Sequence, residues 1–221
     1  MADVTQLVQL LMDFAPRGEP LDMAFLAGYG ITQTDASDLV SGGWLRSLSD
    51  DAYLLRGDAP ALEGTVAFYA RRIPGLHVAG KAALDMRGIR YYLYAHPRIN
   101  LWGDAPFEFP AWATELLSLT YEHESLFDDV LPAAFAISAL PGRSARMPVA
   151  ATERAILEYL AGSVHDERLR EDNANLVGML RNIRLGVLQT LVDRCRRRDV
   201  VWALKFMAED EGFAWAKQLE C

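Results

Sequence analysis

The chain has 221 residues, 51% of them hydrophobic and 24% charged, with a formal net charge of −8 at pH 7. That composition supports a packed core and excludes a disordered chain, and no apolar run reaches the roughly 18 residues of a membrane span. The negative balance excludes a general nucleic-acid coat, which needs cations to neutralise phosphates, and Cys195 and Cys221, with no CxxC pair, exclude a disulfide framework or zinc ribbon.

The opening segment MADVTQLVQLLMDF lacks the basic start and cleavage site of a secretory signal and reads as an amphipathic helix. A cytoplasmic, reduced setting is expected. Leu7, Leu10, Leu11 and Phe14 recur at helical spacing, with Thr5 as a candidate cap. Pro16 and Gly18 end that helix, and Pro20 opens a second with Leu21, Phe25 and Leu26 inward and Gly28 as its stop. Thr32 or Thr34 caps a third helix that runs to about Ser41, where Gly42 and Gly43 break it before Trp44. In WLRSLSDDAYLLRGD, Leu45 and Leu48 precede the polar turn Ser49-Asp50-Asp51, and Tyr53 and Leu55 follow it, which predicts a β-hairpin. Three helices and a hairpin, in that order, predict a winged helix-turn-helix over residues 1–60. A generic helical cap with a β-arm is the plainer alternative.

Residues 61–73 read as a helix with Leu62, Val66, Tyr69 and Ile73 on one face, closed by Pro74-Gly75. LHVAG suits a short strand and KAALDMRG a short helix ending at Gly88. IRYYLYAH and RINLW are rich in β-formers and read as paired strands around Pro97. Pro106, Pro110, Pro132, Pro141 and Pro148 break any long element through residues 103–150. Beyond Pro148 the pattern turns helical: ATERAILEYLAG with Gly162 as its stop, then helices over about 172–183, 186–197 and 199–208. The expected fold class is α+β: an N-terminal winged helix-turn-helix, then a mixed α/β domain over 61–221, with a mixed middle (61–150) and a helical C-terminal third (151–221).

Nucleophile elbows, P-loops and GxGxxG loops are absent, so no catalytic residue is singled out, no cofactor is expected and an enzyme is not the expected class. His77, His96, His123 and His165 are scattered, and the neighbours in YEHE do not share a helical face, so no metal site is expected. Lys81 and Asp85, four residues apart, meet on one helix turn, as a surface ion pair before a catalytic one. Glu153 and Arg154 read as dipole complement and surface charge at a helix start.

The charge is unevenly spread. Residues 1–75 hold ten carboxylates against five arginines, whereas residues 168–198 hold eight arginines against three carboxylates. Arg181, Arg184, Arg194, Arg196, Arg197 and Arg198 form a candidate docking patch for nucleic acid or an acidic protein, with cationic complement to a helix end as the plainer reading. In the recognition helix TQTDASDLVS, Thr32, Gln33, Thr34 and Ser37 reach toward phosphates or base edges, but Asp35 and Asp38 approach them too. Arg46, with Arg56 and Arg17, would clamp the backbone, and a homodimer on DNA would double such contacts.

The segments LVSGGWLRSLSDDAYLLRGD and EGTVAFYARRIPGLHVAGKAALDMRGIRYYL, the element FPAWA, and the blocks ATERAILEYL and LQTLVDRCRRRDVVWALKFMAEDEGFAW resemble, in order and spacing, the AbiEi family of bacterial antitoxins. The resemblance covers most of the chain. It implies a DNA-binding winged helix that represses its own operon, followed by an antitoxin domain that counters a nucleotidyltransferase-like toxin without necessarily forming a stable complex. By position it places Thr32, Gln33, Thr34, Ser37 and Arg46 in the recognition-helix and wing region, and Arg194 to Arg198 in the antitoxin domain. The recognition helix here lacks the basic residues usual in such helices. The alternative function is therefore a protein-interaction module whose acidic winged helix docks a protein without binding DNA.

Overall fold

The computed structural model describes residues 4–90 and 98–221. Helix α1 (Val4–Phe14) contains Thr5 and buries Leu7 and Leu11. Phe14 lies exposed on the last turn, where Ala15 takes the inward position and the Phe14 ring stacks on Tyr29 at 5.8 Å. Helix α2 (Met23–Gly28) begins later than Pro20 suggests, because Asp22 is its N-cap and accepts from the Phe25 amide. Leu21 is therefore extended rather than helical, and it exchanges two 2.8 Å backbone hydrogen bonds with Tyr53.

Helix α3 (Gln33–Ser41) is followed by strands β1 (Leu45–Ser49) and β2 (Ala52–Leu55), which pair antiparallel around the Asp50-Asp51 turn. This is a winged helix-turn-helix arrangement with its own buried cluster, in which Leu7, Leu11, Leu26, Ile31, Leu39 and Leu45 meet. Each of these side chains is almost wholly withdrawn from water, worth about 1.5–3 kcal/mol apiece relative to exposure.

Helix α4 (Leu62–Ala70) stops three residues before Ile73, which is buried beyond its end. Gly64 lets the chain at Gly18 and Glu19 lie directly on α4, since a Cβ there would stand 2.7 Å from both the Glu19 Cα and the Gly18 carbonyl oxygen. Gly64→Ala is expected to cost about 1–3 kcal/mol by overpacking against backbone that cannot yield locally. A urea midpoint unchanged from the parent protein would contradict that contact.

The second core surrounds a mixed sheet in the order β5-β4-β3-β7-β6. Its elements in chain order are β3 (His77–Val78), α5 (Gly80–Met86), β4 (Ile99–Trp102), α6 (Ala111–Leu116), β5 (Leu119–Glu122), β6 (Ile137–Ser138) and β7 (Val149–Ala150). β3 runs antiparallel to β4 and parallel to β7, β4 runs parallel to β5, and β6 runs antiparallel to β7. The RINLW strand is thus present, with β3 and β5 as its neighbours. The expected strand IRYYLYAH falls on residues 89–96, most of which lie outside the described residues.

Helix α7 (Thr152–Ser163) runs through Gly162 and packs on α5 and β7. Helices α8 (Arg170–Val177), α9 (Leu185–Arg194), α10 (Arg198–Asp210) and α11 (Ala214–Gln218) complete the fold. α8 ends well short of residue 183, and α9 ends at Arg194 because Cys195 turns extended and bridges to Phe127. The arginine run therefore spans a corner between two helices instead of fanning around one. α11 is too short for periodicity to reveal. Among the described residues, no helix is long and apolar enough to cross a membrane.

Candidate nucleic-acid interface

Thr32 is the N-cap of α3, and its hydroxyl accepts from the Asp35 amide while the Asp35 carboxylate accepts from the Thr32 amide at 2.9 Å. The reciprocal box commits both side chains to the helix start. It also holds the Asp35 carboxyl below the usual carboxylate range, chiefly through the Thr32 side chain. Of the two acids in the recognition helix, one is thus occupied locally and Asp38 stays exposed. Thr32→Ala should cost about 1 kcal/mol of stability and Thr32→Ser much less; equal urea midpoints for the two variants would sink the cap assignment.

Thr34 and Ser37 are exposed on α3, with the Ser37 hydroxyl turned back to the Gln33 carbonyl at 3.0 Å. The Gln33 amide reaches the Tyr53 hydroxyl at 3.3 Å, tying the helix to the wing. Arg46 stands exposed on β1, its guanidinium 3.5 Å from the Asp58 carbonyl oxygen. Arg56, at the end of the wing, lies 5.9 Å over the Trp44 ring. Arg17 holds the Asp58 carboxylate with its Nε at 2.9 Å. Thr34 and Ser37 on α3, Arg46 on β1 and Arg56 beyond β2 are each exposed.

The second arginine group is built differently. Arg194 lies 3.5 Å from Asp128, Arg196 3.1 Å from Asp129, and Arg197 2.6 Å from Asp199, with Glu124 3.6 Å away. The Asp199 carboxyl is held well below its usual range, first by its bond to Arg197. Arg198 donates to the Val192 carbonyl, and Arg184 pairs at 2.7 Å with Glu153. Arg181 is exposed on the loop after α8. Five of the six arginines are thus held by a carboxylate or a backbone carbonyl.

Glu153 and Arg154 correct the surface reading of that helix start, because both are buried. Arg154 donates through Nε to Glu158 at 2.7 Å and through Nη1 to the carbonyls of Ala133 and Phe135. Glu158 also faces His77 Nε2 at 2.8 Å, while His77 Nδ1 lies 2.6 Å from the Gly75 carbonyl oxygen. Both His77 ring nitrogens thus face oxygen acceptors. Burial alone would raise the Glu158 pKa; His77 and Arg154 outweigh it and hold the carboxyl below its ordinary value. Periodicity places residues 153, 154 and 158 on a helix, but nothing local shows that the sheet will cover them.

Glu158 borders a cavity of about 620 Å³, whose described lining includes Asn100, Glu122, Asp172 and the Lys81–Asp85 ion pair. Lys81 and Asp85 lie 2.9 Å apart, about a quarter exposed, as the spacing predicts. Among the described residues, histidines, cysteines and carboxylates do not gather in threes able to hold a metal ion.

Three helices with a two-stranded wing, joined to a mixed α/β part, define a winged-helix protein. Residues 4–95 match the family described as transcriptional regulator, AbiEi antitoxin N-terminal domain, and residues 96–221 match transcriptional regulator, AbiEi antitoxin, type IV TA system. The chain belongs to the AbiEi family of antitoxins and transcriptional regulators. The family division falls after residue 95, within the mixed part, rather than at the end of the wing. The crystal structure of the RV2827C protein from Mycobacterium tuberculosis shares the fold, with a TM-score of 0.62 and 15% identity over 98% of this chain and 80% of that one. No curated protein matches the chain.

Proposed function

We propose that this protein is an antitoxin that represses its own promoter through the winged helix of residues 1–60 and counters a cognate nucleotidyltransferase-like toxin. Membership of the AbiEi family supports both halves of the reading. The observation that carries the DNA half is the capping box. It ties the Asp35 carboxylate to the helix start, while Thr34, Ser37, Arg46 and Arg56 stand exposed. Hydroxyls and guanidinium groups in that position suit phosphate and base-edge contacts.

A labelled duplex of the protein's own promoter should bind at low salt and lose affinity as salt rises. Arg46→Ala should weaken that binding without lowering the melting temperature. No binding even at about 50 mM salt would remove the repressor half. Co-expression with the toxin encoded alongside should restore growth, and failure to do so would remove the antitoxin half.

The exposed Asp38 favours a second reading, in which the acidic winged helix docks a basic protein and no DNA. In that case promoter DNA would not compete with the protein partner.

A further inference from the structure

We propose that the arginine-lined cleft where the winged helix meets the rest of the chain is a second phosphate-contact surface, so that promoter DNA held by α3 and the wing also touches Arg17, Arg143 and Arg146. The proposal rests on the reading of the winged helix as a promoter binder and extends the interface beyond it.

The cleft, about 440 Å³, is lined by Arg17, Glu19, Glu63, Arg143, Ser144 and Arg146. Arg143 and Arg146 come from the loop before β7, far from the winged helix in sequence. They are fixed at the junction by Glu63, 3.1 Å from Arg143, and Glu19, 2.6 Å from Arg146. The cleft is continuous with the wing through Asp58. The Asp58 carboxylate accepts from Arg17, which lines the cleft, and its carbonyl lies against Arg46 on β1.

The relative depth of the charges decides what this surface presents. The Asp58 and Glu19 side chains are 7% and 2% exposed, whereas Arg17 and Arg146 are 58% and 56% exposed. The carboxylates sit beneath and grip one edge of each guanidinium. A guanidinium carries five N–H donors, so an outer edge remains for a phosphate oxygen. Arg71, also on Glu19, stands nearby, and Arg143 is 48% exposed against 33% for its partner Glu63, a smaller difference in depth in the same direction.

At the corner of α9 and α10 the order is mixed: Asp129 is 97% exposed against 48% for its partner Arg196, whereas Arg194 is 43% exposed against 33% for Asp128. An acid as exposed as Asp129 offsets its arginine at the surface, whereas the deeply buried Glu19 and Asp58 leave Arg146 and Arg17 outermost. Oriented guanidinium groups beside a wing favour the polyanionic backbone that the wing already approaches.

Fluorescence anisotropy of a labelled promoter duplex with the full chain, titrated from about 50 to 200 mM salt, tests this. Arg143→Ala/Arg146→Ala should weaken binding about tenfold and lower the slope of log K against log salt by about 2, one for each lost phosphate contact. Arg143→Lys/Arg146→Lys should keep most of the slope. Arg143→Ala alone should lower it by about 1; this variant keeps the fold readable, because Glu63 still accepts from the Ser144 amide. If the parent protein binds, Arg46→Ala weakens it, and the alanine pair leaves affinity and slope unchanged, this proposal is overturned and the promoter reading stands. If the parent protein does not bind the duplex at all, both fall.

Discussion

Replacing Glu158 by alanine should destabilise the protein by about 3–5 kcal/mol, the range for removing one partner of a buried ion pair. For a chain of this size that is a fall in melting temperature of roughly 10 °C or more. The size of the effect comes from what remains. His77 is 1% exposed and Arg154 6%, and both would lose their carboxylate while still covered by the sheet and α7. Glu158→Gln, which keeps the shape and removes the charge, should cost nearly as much. Converting all three residues to apolar side chains of similar volume should recover most of the loss, since the charges would then no longer need each other. A Glu158→Ala protein that melts within about 2 °C of its parent would show that the cluster is not closed off from water.

Glu19 is a useful contrast. It is as deeply buried as Glu158, but its partners Arg71 and Arg146 have outward-facing guanidinium groups. Removing Glu19 returns those cations to water instead of stranding them, so a smaller stability cost follows from equal burial of the acid. The two carboxylates also serve different structures. Glu158 fastens α7 to β3 through His77 and to the start of α5 through the Gly80 amide at 3.3 Å. Glu19 fastens the winged helix to α4 and the loop before β7. The first arrangement holds one core together, and the second sets the angle at which the wing meets its neighbour.

The sequence made the winged helix legible because its signals are local. Thr32 followed by Asp35, the Gly42-Gly43 break, and leucines on either side of Ser49-Asp50-Asp51 each specify a neighbour within a few residues. The exact cap was open between Thr32 and Thr34, and geometry selects Thr32 because its hydroxyl is the one within reach of the Asp35 amide. The ionic cores were not legible. Glu153 and Arg154 look like surface charge on a helix start until His77, 81 residues before Glu158, and Arg184, 31 residues after Glu153, are brought against that helix. The arginine run misleads for a related reason. Its spacing is helical, but Cys195 pairs with Phe127 across the fold and bends the chain at the point where periodicity would carry the helix on. Arg143 and Arg146 lie in a proline-flanked loop with no pattern of its own, and only the acids at Glu19 and Glu63 give them a place.

Acid should unfold this protein over a narrow range below about pH 4.5, and the buried carboxylates set the direction. Glu153 and Glu158 both have folded-state pKa values below the ordinary 4.5, because their arginine and histidine partners outweigh the cost of burial. A depressed folded pKa means that the stabilisation is complete above the unfolded value and disappears as pH falls toward the folded one. In that window the unfolded chain binds protons that the folded chain refuses. Each such group contributes up to about 1.4 kcal/mol of lost stability per pH unit, so the pair gives roughly 2.7. Asp58 and Glu63 at the junction add in the same direction, discounted for their contact with solvent. Urea titrations between about pH 3 and pH 6 should show a plateau above pH 5 and a steep fall beneath it. Glu158→Gln should lower the plateau and flatten the fall together, because a glutamine takes up no proton. A variant that lowers the plateau with the slope intact would mean that Glu158 is not ionised in the folded protein.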